Sequence, residues 1–236
     1  MLEVHDLVKT IKNKHIFSPL KKILKNISFK LHEGKVTAII GKNGAGKSTV
    51  IKVILGFTSV DSGSVNIREN TTIGYLPENP YYYDYLTMRE LMWFSARSFG
   101  MKKSDFKARV MVVAEKVDMV NELDQRLRTF SKGMTQRAGI AAAIVHDPDL
   151  LIFDEPMSGL DPVGRKMVFD LITELRQCGK TVLFLSHVLS DVERLCDEVY
   201  IMHASEVCPH LTSAQLKIAP NEVEIIVQRP LLWNIT

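Results

Sequence analysis

Gly41-Lys42-Asn43-Gly44-Ala45-Gly46-Lys47-Ser48, followed by Thr49, is the stretch on which the fold turns. The run "KVTAIIG" (35–41) leading into it is rich in β-branched residues and reads as a short buried strand. After it, "KSTVIKVILG" sets Val50, Ile51, Ile54 and Leu55 on one helical face, with Gly56 as the stop. Between strand and helix, the glycines let backbone N–H groups curl around phosphate oxygens, and the helix N-terminus adds a positive field. Lys47 is then placed to reach the β- and γ-phosphates as a point charge, and the Ser48 hydroxyl to bind Mg²⁺. Average residue usage produces such a pattern by chance in on the order of one chain in a hundred of this length. The strand–loop–helix setting lowers that further, so the octet reads as a nucleoside triphosphate site.

Working outward, "LEVHDLVKTI" and "ILKNISFKL" alternate as strands, joined by a polar loop holding His15, Phe17 and Pro19. "DSGSVNI" reads as a turn and strand, and "TTIGYL" as another short strand. The texture changes after Pro77. Thr87 and Glu90 have capping-box spacing before "LMWFSARSF", and Phe106, Val110, Val113 and Val117 recur at helical spacing. Residues 79–145 are therefore expected to be all-helical. "DLLIFDEP" follows as an apolar strand ending in acid, and "PVGRKMVFDLITELRQCG" as an amphipathic helix closed by Gly179. "TVLFLSH" and "EVYIMH" read as strands around the helix "LSDVERLCD", and "VEIIVQ" as a strand in the tail. Apolar strands alternating with helices imply a parallel sheet covered on both faces.

The 236 residues suffice for one large domain or a core with a substantial subdomain, and 46% of them are apolar, enough for a real core. Thirty Lys and Arg against 27 Asp and Glu leave a net charge of +3, too mild for a nucleic-acid footprint. The basic run from Lys9 to Lys25 reads as a solvated edge and loop. Cys178, Cys196 and Cys208 have neither metal-ligand nor disulfide spacing and read as ordinary residues of a reducing compartment. The N-terminus lacks the apolar core of a signal peptide, and no run has the eighteen or so apolar residues of a membrane span. The sequence thus reads as soluble and cytosolic, with any membrane role left to a partner.

Two strand ends add chemistry. "LLIFDEP" delivers Asp154 and Glu155 together at the C-terminal end of a buried strand, where open α/β sheets bind ligands. Asp154 suits an outer contact to magnesium; Glu155 can polarise a water for attack on the γ-phosphate. "FLSH" brings His187 to another such end, where a neutral imidazole can hydrogen-bond the γ-phosphate and the attacking water. "FSKGMTQR" (Phe130 to Arg137) is less direct. Ser131 would cap the helix that follows, yet Gly133 in the first turn weakens that helix.

With these features in one order, the chain resembles an ABC-transporter ATP-binding subunit from about Leu2 to Val207. "GKNGAGKST" corresponds to the Walker A loop and "LLIFDEP" to the Walker B strand with Glu155 as catalytic base. In that resemblance Ser158, Gly159, Leu160 and Asp161 correspond to the D-loop, and His187 to the switch histidine. Ser131 and Gly133 match the serine and second glycine of the family signature Leu-Ser-Gly-Gly-Gln, whereas Lys132 and Met134 depart from it. That variant, with "DEPMSGLDP" and "SHVLSDVERLCD", looks like bacterial ABC-2 exporters.

The resemblance implies an α/β fold: a P-loop NTPase (RecA-like) core with a mainly parallel sheet, an antiparallel β subdomain and an inserted α-helical subdomain. Residues 1–205 would form the ATPase domain, with core 1–78 and 146–205 and helical part 79–145, and 206–236 a short C-terminal extension. It further implies ATP and Mg²⁺ as ligands, a head-to-tail nucleotide-sandwich dimer in which the signature serves the partner's ATP, and a separate transmembrane permease. The chain would then sit peripherally on the inner face of the cell membrane, with no nucleic-acid partner. Two positions depart from the pattern. Glu78 stands where the family has Gln in the loop after "YLP", still able to face Mg²⁺ but adding charge. The adenine-stacking aromatic aligns with Ile11, for which Phe17 can substitute or else serve as a loop anchor. "PYYYDY" (80–85) reads either as part of a socket for a membrane subunit's helix or as a cap of the helical subdomain. The competing classes are a soluble ABC-type ATPase acting on nucleic acid or ribosomes, and a module that dimerises on ATP but seldom turns over. The first usually carries paired ATPase domains or coiled-coil insertions; the second is opposed by the intact Lys47, Asp154, Glu155 and His187.

Overall fold

The computed structural model of the chain describes residues 1–11 and 20–212. Two antiparallel strands, β1 (Leu2–Ile11) and β2 (Lys21–Leu31), come first, then β3 (Val36–Ile40) and α1 (Lys47–Ile54) around the glycine-rich loop. β4 (Ser62–Ile67) and β5 (Ile73–Leu76) follow. The helical part holds α2 (Met88–Ser98), α3 (Lys103–Lys116), a short 3-10 turn at Leu127–Thr129 and α4 (Lys132–Ile144). The chain then alternates: β6 (Leu150–Asp154), α5 (Pro162–Gln177), β7 (Thr181–Ser186), α6 (Leu189–Leu195), β8 (Glu198–His203) and β9 (Glu206–Thr212).

One sheet is antiparallel with order β2-β1-β4; the other has order β5-β6-β7-β3-β8-β9 and is parallel except for β9. Its strands explain the burial on both faces. Ala38, Ile40, Leu151, Phe153, Val182 and Phe184 point into a core shared with the helical part, α5 and α6. Their alternates Ile39, Leu150, Ile152, Leu183 and Leu185 pack with α1 and the antiparallel sheet. A period of two with apolar residues in both phases is what a sheet buried on both sides requires.

The helical part is started as its sequence signals. Thr87 Oγ1 accepts from Glu90 N–H at 3.1 Å, and Glu90 Oε2 accepts from Thr87 N–H at 2.8 Å. Phe106, Val110, Val113 and Val117 all face the core. No helix among the described residues is long and apolar enough to cross a membrane.

β9 is the element the sequence reading passed over, having placed residues 206–236 in an extension. It returns antiparallel along β8, turning at Ala204 and Ser205, both with positive φ, and forms the sheet edge. Pro209 breaks the strand pattern of "EVCPHLT", yet an edge strand tolerates a residue without an N–H. The tail strand "VEIIVQ" lies outside the described residues.

Candidate functional site

The register of the parallel sheet assembles the site. Ile40 lies opposite Ser186, and Leu185 opposite Asp154, so three strands end level with one another. Gly41, Glu155 and His187, each the next residue along, therefore leave the sheet at one edge. β5 ends beside β6, with Leu76 opposite Phe153, which brings Glu78 to the same place.

At the glycine-rich loop, Gly46 occupies the N-cap of α1 with φ 106°, and the helix start carries no side-chain cap or acidic residue. A Cβ on Gly46 would stand 2.8 Å from the Ile23 carbonyl oxygen, so this turn admits only glycine. Lys47 is buried, its Nζ donating to the carbonyls of Gly41 at 2.6 Å and Lys42 at 3.5 Å. Asn43, Gly44, Gly46, Lys47, Ser48 and Thr49 line a cleft of about 440 Å³ together with Glu78, Asp154, Glu155, Ile11 and Ile23. Ile11 is 46% exposed, a position suited to an apolar contact. Gly41, Lys42 and Asn43 border an adjoining cleft with His187. Ala45 is buried under the loop. Phe17 lies outside the described residues.

Asp154 ends β6 almost wholly buried. Burial pushes its carboxyl up to about 6; the Ser48 hydroxyl bonds it and opposes this, Glu78 and Glu155 repel its charge, and Lys47 favours it. The site therefore gathers oxygen donors (Ser48, Asp154, Glu78) and surplus negative charge. That fits a hard divalent cation such as Mg²⁺, which binds through few carboxylates and otherwise through water and phosphate. Among the described residues no group of three or more His, Cys, Asp and Glu side chains is placed to hold a metal ion.

The raised pKa sets a stability prediction. Because the folded value exceeds the unfolded one near 3.9, the contribution of Asp154 is fully present below the unfolded value. It is lost as pH rises through about 6. Asp154→Asn is expected to stabilise the metal-free protein by about 1–3 kcal/mol at pH 8. Thermal unfolding in EDTA should show this as a Tm several degrees above the parent at pH 8 and a vanishing difference near pH 4.

Glu155 has φ 53°, in the left-handed region that non-glycine residues seldom occupy. Three contacts hold it there: its N–H donates to Leu185 O at 3.2 Å, and its carbonyl accepts from Ser158 N–H at 3.0 Å and Gln136 Nε2 at 3.3 Å. The sharp turn aims the carboxylate across the sheet edge, where Oε1 lies 2.8 Å from His187 Nδ1. With the carboxylate ionised, Nδ1 carries the proton and donates it. The distal nitrogen Nε2 can then accept from a water when the ring is neutral, or donate to an anionic oxygen when it is protonated.

Ser131 caps α4, its Oγ accepting from Met134 N–H at 3.2 Å. Ser131, Lys132, Gly133 and Met134 face Gly159, Leu160 and Asp161 across a second cleft of about 550 Å³. A Cβ on Gly133 would stand 3.4 Å from Gly159 O, so the backbones of these two segments nearly touch. The stem of Lys132 lies along Gly159, with Cε 2.9 Å from where a Cβ would be. This accommodates one departure from the signature; the other, Met134, packs partly buried against the core. Ser158 precedes that cleft in the turn from Glu155.

Two residues were missed by sequence reasoning. Gln136 is buried and donates to both Glu155 O and, at 3.2 Å, Pro156 O, linking α4 to the end of β6. Its signal was a polar residue on the helix face that buries Gly139, Ile140 and Ala143. Arg137 bonds Asp118 at 3.1 Å and approaches Asp161 at 3.8 Å, bracing the second cleft.

Comparison with known proteins identifies the family. Residues 24–158 match the family described as ABC transporter. An uncharacterized ABC transporter ATP-binding protein of Synechocystis is 37% identical over 78% of this chain and 55% of its own length. The Bacillus subtilis ABC transporter ATP-binding protein YxlF, also uncharacterized, is 36% identical over 88% of this chain and 69% of that one. A solved structure, an ATP-binding subunit of an ABC transporter, superposes with a TM-score of 0.80 at 30% identity, covering 90% of each chain. The chain thus spans little more than half the length of the Synechocystis relative.

Proposed function

The chain belongs to the ABC transporter family, and on that premise we propose that it is the ATP-hydrolysing subunit of an ABC-2 type exporter. One observation carries the reading. The phosphate-binding loop, the Asp154–Glu155 pair and His187 leave one parallel sheet at one level, with Glu155 and His187 in hydrogen-bond contact at 2.8 Å.

Lys47 and the α1 N-terminus hold the phosphates. Ser48, Asp154 and Glu78 would hold Mg²⁺, which supplies charge neutralisation at the phosphate oxygens. Glu155 accepts a proton from the attacking water, and His187, fixed by Glu155, contacts the water or the γ-phosphate through Nε2. The adenine rests against Ile11.

Ser131 and Gly133 lie in a cleft that shares no lining residue with the phosphate cleft. This favours the head-to-tail arrangement, in which the signature of one copy closes over ATP held by another. Hydrolysis would reopen that dimer and so move a membrane partner. For the partner's seat we favour the tyrosine segment after Glu78. Tyr81 is 89% exposed and Tyr83 and Tyr85 are exposed too, while Tyr82 turns inward over Gly139. Tyr81, Tyr82 and Tyr83 border an apolar groove of about 400 Å³ lined also by Leu86, Phe94 and Phe99. Such a socket would place the chain on the inner face of the membrane.

Ser131→Arg tests the arrangement. ATP-dependent dimer should disappear in gel filtration while the Kd of the monomer for Mg-ATP stays within threefold. Loss of both would mean that Ser131 serves the folding of α4 and not a partner's nucleotide.

A further inference from the structure

Asp191 takes no part in the site above, yet it is only 3% exposed and its Oδ2 has no hydrogen-bond partner. Its Oδ1 accepts from Arg165 Nη2 at 2.7 Å. A buried carboxylate satisfied on one oxygen is costly to keep, which raises the question of what the pair secures.

The places of its two ends answer this. Arg165 is in the first turn of α5, four residues beyond Asp161 of the D-loop. That helix has a firm start, since Asp161 Oδ1 accepts from Gly164 N–H at 2.8 Å and Pro162 presets the first turn. Asp191 is in the first turn of α6, four residues beyond His187. α6 has only seven residues, with Val188 at its N-cap and no side-chain cap. A helix so short keeps no shape of its own in water, so external contacts set its path. The His187 side chain is 56% exposed and stands on the segment between β7 and this helix.

We infer that Arg165 and Asp191 are positioning residues for His187. The ion pair ties the first turn of α6 to the first turn of the D-loop helix and so keeps the imidazole against Glu155. This rests on the reading that Glu155 and His187 act together in hydrolysis. The fold does not depend on the pair alone, because Val192 and Leu195 of α6 are buried and Arg194 lies 4.6 Å over the Phe169 ring of α5.

The test is the double variant Arg165→Met/Asp191→Leu in the full chain, which leaves no uncompensated buried charge. Mg-ATP affinity should stay within threefold, while kcat falls at least tenfold at unchanged KM. In protein carrying ¹⁵N-labelled histidine, with His187 assigned by His187→Gln, its ring nitrogens should move from a fixed Nδ1–H pattern towards that of a free imidazole. A kcat within twofold of the parent, or unchanged His187 nitrogens, overturns the inference. If the double variant folds poorly, Arg165→Lys carries the same test: kcat down at least threefold with Kd unchanged, and equal kcat rejects the claim. Should the parent hydrolyse no ATP, the hydrolytic reading fails, and the nitrogen shifts still decide the positioning claim.

Discussion

Glu155→Gln is expected to lower ATP turnover by two to three orders of magnitude while Mg-ATP remains bound. The side chain keeps its size and an oxygen that can still accept from His187 Nδ1, now 2.8 Å away. What it loses is the ability to take a proton from water, a contribution of roughly 10²–10⁴ in rate for a positioned general base. Asp154, Ser48 and Lys47 are untouched, so binding should persist. Gel filtration with ATP should then show a lasting dimer that the parent would hold only transiently, until hydrolysis. A monomer under those conditions would sink the nucleotide-sandwich arrangement for the isolated chain, and retained turnover would remove Glu155 as the base.

Lys47→Ala should raise the Kd for Mg-ATP by at least ten- to a hundredfold, about 1.4–2.7 kcal/mol. Lys47 is a buried cation bonded to neutral carbonyls of its own loop, so its charge has no acidic partner there among the hydrogen bonds it makes. Phosphate oxygens are the acceptors that would use it best. The loop itself should survive, because Gly46 and the buried strand β3 set its path. Binding measured by calorimetry at parental affinity would remove the phosphate-site assignment, and circular dichroism would separate that result from unfolding.

The parts of this fold that could be read from sequence are those with local signals. A period of two in both phases marked β3, β6 and β7, and the Thr87–Glu90 spacing marked the start of α2. Asp154, Glu155 and His187 could be placed at strand ends because a buried strand that stops at an acid or histidine has one way to leave the sheet. Contacts across long separations could not be read. Gln136 meets Glu155 across 19 residues, and Arg165 meets Asp191 across 26. Nothing near Glu155 in the chain announces its left-handed backbone, which is held by Leu185 from another strand. β9 escaped because Pro209 masks an edge strand whose pairing depends on β8. Lys132 was legible only as an oddity; the glycine that makes room for its stem is 27 positions away in sequence and adjacent in space.

The level ends of β3, β6 and β7 have a consequence for how such a chain can change over generations. Each strand residue advances about 3.3 Å, so one residue inserted within β7 would carry His187 past Glu155 by more than a hydrogen bond's length. The same insertion would exchange the faces to which its neighbours point. Strand length here works as a ruler, and the ruler admits no tolerance. The opposite edge bears no such constraint. There the turns at Gly34 and Gly179 and the loop before Leu150 lead into the strands, and additions would leave the catalytic spacing intact. Length variation among functional descendants of this chain should therefore collect at that entry edge, and be absent between Val182 and His187.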